Sequence, residues 1–378
     1  MENARGTRHA APLTLTRRGF AAAAALSALI PPAAAFAQSK PPGFTFYGSA
    51  PGDPQAWADA LRLDPARFAP GQFEWWYADG HLSNGVTFVA SWHLEIDEAG
   101  VLQPYVTVNF ATKDEVLLDR KIRFQAAQAR FGRERCDVAI GKHFIRSLDG
   151  LNRYELFVDP EINGGYGLHL ELDRTVPSYS PGPDDGSNPP GPYVRWVCAV
   201  PNGALKGTVT VGRVTQEVTG SGYHDHNWGN VPMSVLVRDW HWARGEAEGY
   251  TAVAAAVRFN NGVDARNVYV ADRKGVVVAA LGPAVGFREL ATAAQPDTGK
   301  TIGSDILFPV EGKGSVRFAG KKAISSFVFD SDAKFHWWYT RFDSGLEIDL
   351  AHDGRRFTAT GHAVLEHMDF RGQAVGDK

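Results

Sequence analysis

The sequence predicts an all-β protein in which two consecutive antiparallel β-barrels follow an export leader. Three observations predict it. Apolar and polar residues alternate with period two through most of the chain from Phe73 to Leu365, the spacing that buries one face of a strand and wets the other. Gly, Asn, Asp and Pro clusters punctuate these stretches at hairpin intervals. The stretches fall into two sets, each of about the eight strands that a small closed barrel needs.

Met1 to Ala37 reads as a targeting signal, to be set aside before any fold reasoning. Thr16-Arg17-Arg18-Gly19-Phe20 is a twin-arginine pattern, the run Phe20 to Ile30 is too short for a membrane anchor, and Ala35-Phe36-Ala37 offers a cleavage site. The expected location is periplasmic or secreted, with no integral anchor after cleavage. Residues 38–71 form a Pro- and Gly-rich lead-in with one helical candidate, Gln55 to Arg62.

The first barrel, residues 72–232, is expected from strands at Phe73–Leu82, Val86–Ile96, Tyr105–Ala111, Lys121–Gln125, Tyr154–Val158, Tyr166–Asp173, Tyr193–Val200, Ala204–Val211 and Glu217–Trp228. Pro177 to Pro192 has no periodicity and reads as a long surface loop, either a lid or plain connection. The second barrel, residues 233–378, follows a boundary near Asn230 to Val237. Its strands are Trp240–Arg244, Tyr250–Phe259, Arg266–Ala271, Val276–Leu281, Gly314–Phe318, Ala323–Phe329, Phe335–Phe342, Leu346–Ala351 and Arg355–Leu365. Phe73-Glu74-Trp75-Trp76-Tyr77 echoes Phe335-His336-Trp337-Trp338-Tyr339, which suggests duplication.

A formal charge of −3 leaves no electrostatic footprint for nucleic acid or an anionic membrane. The two cysteines, Cys136 and Cys198, allow one bridge or two buried thiols. Phosphate loops, nucleophile elbows and zinc-protease patterns are absent from the sequence, so no cofactor is implied.

Polar and aromatic residues concentrate at Gly222-Tyr223-His224-Asp225-His226-Asn227-Trp228-Gly229 and at Asp239-Trp240-His241-Trp242-Ala243-Arg244. Alternation places His224, His226 and Trp228 on one face and Tyr223, Asp225 and Asn227 on the other; Trp240, Trp242 and Arg244 oppose Asp239, His241 and Ala243. Three readings fit. A His beside a carboxylate can exchange a proton near neutral pH while indoles flank a cation. His224 and His226 could bind a metal with His93, Glu95 or Asp225. Or the cluster is a buried polar network between barrels. Glu74 among indoles and His93 with Glu95 are weaker candidates, and His336, His362 and His367 read as structural.

These residues resemble the carotenoid 1,2-hydratase and AttH-like family of lipocalin-like proteins. The resemblance rests on Glu74-Trp75-Trp76-Tyr77 with Gly80-His81-Leu82, on Asp225-His226-Asn227-Trp228-Gly229 and on Trp240-His241-Trp242, and it spans most of Gly71 to Phe370. It implies two lipocalin-like barrels and cofactor-free chemistry such as addition of water to a carotenoid double bond, with His226 and Trp228 at the pocket. The hydratase branch places a donor Asp on the strand after Trp-His-Trp, where this chain has Tyr250 to Val257 and no carboxylate. The expectation is therefore a protein that encloses a hydrophobic, polyunsaturated, isoprenoid-like molecule and acts on it, hydro-lyase fashion, by proton transfer without a metal. Asp225 and His226 are the expected acid and base. Glu74, Trp76, Tyr77, His93, Trp228, Trp240, His241, Trp242 and Arg244 are the expected ligand contacts. The alternative is a non-catalytic carrier or chaperone for a lipid-like ligand, partnered with a membrane export complex.

Overall fold

The structure, a computed structural model, describes residues 54–182, 188, 191–330 and 336–370. The leader, the start of the lead-in, part of the Pro177 to Pro192 loop and Phe335 lie outside the described residues.

Nearly everything described is strand, in two antiparallel sheets. The first contains β1 (Phe73–Leu82), β2 (Thr87–Ile96), β3 (Leu102–Ala111), β4 (Val116–Arg123), β5 (Ala129–Phe131), β6 (Asp137–Ile140), β7 (His143–Asp149), β8 (Arg153–Val158), β9 (Gly167–Arg174), β10 (Val194–Val211) and β11 (Val214–Gly229), ordered 4-3-2-1-11-10-9-8-7-6-5. A short helix, α1 (Met233–Leu236), leads to the second. That sheet contains β12 (Val237–Ala247), β13 (Tyr250–Phe259), β14 (Asp264–Asp272), β15 (Gly275–Leu281), β16 (Arg288–Ala294), β17 (Thr301–Val310), β18 (Gly314–Asp330), β19 (His336–His352) and β20 (Arg355–Asp369), ordered 15-14-13-12-20-19-18-17-16. Each sheet curls over its own apolar core. In the first, Trp76, Trp92 and Val108 from one half pack with Ile145, Tyr154 and Leu170 from the other. No ladder among the described residues joins β4 to β5 or β15 to β16, so the barrels are open along one seam and not hydrogen-bonded all round.

The breaks expected after Val200, Phe318 and Phe342 fall inside continuous long strands, β10, β18 and β19. Pro201-Asn202-Gly203 lies within β10, with register shifts at Val197/Val200 and Val200/Gly203; β18 shifts at Gly320/Lys322. A bulge bends a strand without ending it. Strands β5, β6, β7, β16 and β17 are absent from the period-two reading because β5 and β6 are short, β16 is exposed along most of its length, and β17 carries Gly303, Ser304, Asp305 and Pro309. Gln55 to Arg62 becomes a one-turn 3-10 helix, Ala56–Asp59.

The suggested Phe73/Phe335 echo does not follow the topology. β1 lies between β2 and β11 as β12 lies between β13 and β20, so β1 corresponds to β12, while Trp337 to Tyr339 belong to β19.

A third apolar cluster, with Tyr179, Trp196, Tyr223, Val253, Phe259 and Tyr269, joins the outer faces of the two sheets. Polar ties span the same junction. Asp79 of β1 receives Arg244 of β12 and, at 2.9 Å, Arg341 of β19. Burial opposes the Asp79 charge, yet the two guanidinium groups hold its carboxyl at about 2. Cys136 and Cys198 are separate buried thiols, both pushed up by burial. Among the described residues no helix is long and apolar enough to cross a membrane.

Candidate functional site

Period-two alternation gives each sheet two faces, and the outer faces of the two sheets border a common space. A cavity of about 640 Å³ lies between the sheets, within the range of ~300–1,000 Å³ usual for small-molecule sites. Trp75 and Tyr77 of β1, His93 of β2, Tyr105 of β3 and Trp196 of β10 wall it on one side. Trp240 and Trp242 of β12, Phe327 of β18 and Tyr339 of β19 wall it on the other. The lining is mostly apolar, with a polar corner of Asp225, Asn227, Arg341 and Glu366.

Asp225 is held in one orientation by three donors. Tyr223 Oη donates to Oδ2 at 2.8 Å, Trp196 Nε1 donates to Oδ2 at 2.9 Å, and Asn227 Nδ2 donates to Oδ1 at 2.9 Å. Burial dominates over these donors and raises its carboxyl to about 7. Glu366 accepts from Tyr339 Oη at 2.7 Å and lies 3.4 Å from Arg341 Nη1; burial again raises it, with Arg341 opposing. Arg341 also donates to Tyr77 Oη at 2.8 Å, and Tyr77 donates to Asp79 at 2.7 Å.

The expected acid and base do not meet. Asp225 faces the cavity, whereas His226 points to the opposite side of β11 into the first barrel, fully buried and stacked on Trp76 at 4.5 Å. There Nε2 lies 2.8 Å from Glu74 Oε1 and Nδ1 lies 3.0 Å from the Ala58 carbonyl. Glu74 also accepts from the backbone N–H groups of Arg62 and Leu63, so the trio clamps the lead-in onto β1 and β11. Glu74, Trp76, Trp228 and His226 therefore lie off the cavity. Trp228 is buried with its indole N–H donated to Asn188. His241 is buried in the second barrel against His367 at 4.5 Å, where burial, with His367 and Arg258, pushes it well below the ordinary range. Arg244 sits beside the cavity on Asp79. Tyr77, His93, Trp240 and Trp242 line the cavity; His93 stacks on Tyr105 at 4.2 Å, and burial beside Lys121 holds it well down.

The weighed metal set cannot assemble, because Asp225 and His93 face the cavity while His224 and His226 face the barrel interior. A different trio, Asp59, Cys136 and His224, brings its donor atoms within 4.8 Å. It is interlinked with the barrel core: Tyr154 donates to Asp59 at 2.7 Å, and His224 Nε2 lies 3.0 Å from the same oxygen.

Sequence reasoning passed over Trp75, Trp196, Tyr339, Arg341 and Glu366. One signal was present. Asp225-His226 on β11 pairs with Tyr77 and Trp76 of β1, and Glu366-His367 on β20 pairs with Trp242 and His241 of β12. The true echo is this carboxyl-His dipeptide, with the carboxyl facing the cavity and the imidazole facing the core in both sheets.

No protein-family model matches the chain. A curated relative, hydroxyneurosporene dehydrogenase of Chlorobaculum tepidum, is 29% identical over 226 residues, covering 50% of this chain and 56% of that protein. The chain thus spans about half the length of that relative. An AttH-type protein of Nitrosomonas europaea superposes with a TM-score of 0.57 at 16% identity, over 82% of this chain and 97% of its own. Kievitone hydratase of Nectria haematococca gives 0.54 at 14% identity, over 87% and 99%. The chain is thus similar in fold to the AttH-type and kievitone hydratase structures and, over about half its length, similar in sequence to the hydroxyneurosporene dehydrogenase.

Proposed function

We propose that the cavity between the sheets encloses a hydrophobic, polyunsaturated, isoprenoid-like molecule, and that Asp225 protonates one of its double bonds. The observation that carries this reading is a carboxyl raised to about 7 inside an aromatic cavity. Such a group is about half protonated at neutral pH, the condition under which a general acid is most useful. Protonation of a trisubstituted alkene leaves a tertiary cation, and the indole rings of Trp75, Trp240 and Trp242 supply electron density to it. Water addition or proton loss then completes a hydration or an isomerisation. The sequence likeness to a hydroxyneurosporene dehydrogenase and the fold likeness to a kievitone hydratase support an enzyme of this kind. The twin-arginine pattern supports export, with the activity then in the periplasm or outside the cell.

The test uses retinol as probe and indole emission as readout. Retinol quenches the cavity tryptophans, Trp242→Ala raises its Kd at least about tenfold, and Asp225→Asn keeps the binding. Turnover of farnesol, followed by mass spectrometry, falls at least about 100-fold in Asp225→Asn. The absence of a carboxylate on β13 favours a second reading, a non-catalytic carrier. Binding without any turnover in the wild type establishes the carrier, and absence of quenching removes both. Retention of an Arg17→Lys, Arg18→Lys double variant in the cytoplasm checks the export route.

A further inference from the structure

We infer that Glu366 is the second catalytic carboxyl of the cavity, the proton acceptor that completes a proton-in, proton-out pair with Asp225 and makes the protein a double-bond isomerase. This rests on the reading of Asp225 as proton donor and extends it to the other sheet.

Geometry carries the inference. Glu366 lines the same cavity as Asp225 and comes from the matching position of the other sheet: Asp225 pairs with Tyr77 across β11 and β1, and Glu366 with Trp242 across β20 and β12. Each carboxyl accepts a tyrosine hydroxyl, Tyr223 for Asp225 and Tyr339 for Glu366. Their difference assigns the roles. Among the described residues Asp225 is bonded by neutral donors alone, whereas Glu366 has the Arg341 guanidinium at 3.4 Å. A neighbouring cation favours the anionic form, so Glu366 is the better base and Asp225 the better acid. Arg341 is a positioning residue, fixed in turn by Asp79 and Tyr77.

The step balances without a co-reactant. The Asp225 O–H bond breaks as its proton forms a C–H bond to one alkene carbon, leaving a tertiary cation. A C–H bond next to the cation breaks, its electron pair forms the new double bond, and the proton passes to a Glu366 oxygen. Proton exchange between the two carboxyls, directly or through solvent, restores the starting state.

The charges bearing on the pair are Arg341, Arg244 and Asp79 near Glu366, and His224 and Glu366 near Asp225, where Glu366 raises the Asp225 carboxyl. Two measurements on full-length protein test the proposal. Farnesol incubated in deuterated water is expected to return as isomers carrying deuterium. Incorporation falls at least about 100-fold in Glu366→Gln, recovers partly in Glu366→Asp and is unchanged in Glu347→Gln, which alters an exposed carboxyl on β19. Separately, Trp196 emission reports the Asp225 titration, and Glu366→Gln moves its midpoint down. Incorporation that survives Glu366→Gln, or a midpoint that stays put, overturns the role of Glu366 and leaves Asp225 as donor standing. No incorporation in the wild type removes both.

Discussion

Both ring nitrogens of His226 face oxygen: the Ala58 carbonyl, which can only accept, and Glu74, already accepting two backbone N–H groups. These contacts tie the lead-in to β1 and β11 on the side of the sheet away from the cavity, which gives His226 a structural place. Removing the imidazole takes a buried hydrogen-bond partner from Glu74, at a cost of about 1–3 kcal/mol. His226→Ala is therefore expected to lower urea stability by that amount, with retinol affinity per folded molecule unchanged; a stable variant that has lost turnover would return His226 to the chemistry. His224 tests the same clamp by pH. Burial opposes its charge, but Asp59 more than offsets this and raises it above the ordinary imidazole range. A raised folded value means that the contribution is complete below about 6.5 and fades as pH rises through the folded value. The stability gap between wild type and His224→Gln should thus be widest in mild acid and narrow toward alkaline pH.

At the scale of the strand, the glycines of the recognised motifs have a packing role. Gly80 of β1 faces Gly222 of β11, and a Cβ on Gly80 would lie 2.5 Å from Leu205 Cδ1 and 2.6 Å from the Phe88 ring. A Cβ on Gly222 would meet the same leucine at 2.8 Å. Gly80→Ala is expected to cost about 1–3 kcal/mol in thermal or urea unfolding, relieved when combined with Leu205→Ala; an unaffected single variant would show that the core yields at no cost. Strand existence and facing were legible here because period two is local: β13 was read to the residue, and the alternation of His224, Asp225 and His226 was correct. What was illegible is non-local. Nothing in the alternation says which face of β11 meets another sheet and which meets its own barrel, so the expected site mixed Asp225, Tyr77 and His93 of one face with His226, Glu74, Trp76 and Trp228 of the other. Arg341 follows Trp337-Trp338-Tyr339 and Glu366 precedes His367, but neither stands in a cluster as dense as that around Asp225, and their place beside the cavity becomes visible when β19 and β20 are laid opposite β1 and β11.

At the scale of the molecule, the junction of the two sheets holds both the cavity proposed for binding and a site of stored cost. Asp79 between Arg244 and Arg341 stabilises that junction, but Asp225 works against it. Its carboxyl is raised to about 7 by burial, so the folded state holds its proton where the unfolded chain has released it. A raised carboxyl contributes nothing adverse below about 4 and destabilises progressively as pH climbs from there through its folded value. Above that value the penalty reaches ~4 kcal/mol at most. Asp225→Asn, which keeps the shape and removes the charge, should therefore raise the melting temperature at pH 9, do little at pH 4, and remove turnover at every pH. In the wild type, kcat/KM should fall about tenfold per pH unit above 7 as the acid form is lost. Stability and activity then change in opposite directions through one substitution, the behaviour of a group retained for chemistry at the expense of the fold. If Asp225→Asn is destabilising at pH 9, the three donors around the carboxylate outweigh its burial, the acid is not protonated at neutral pH, and the cavity serves for binding alone.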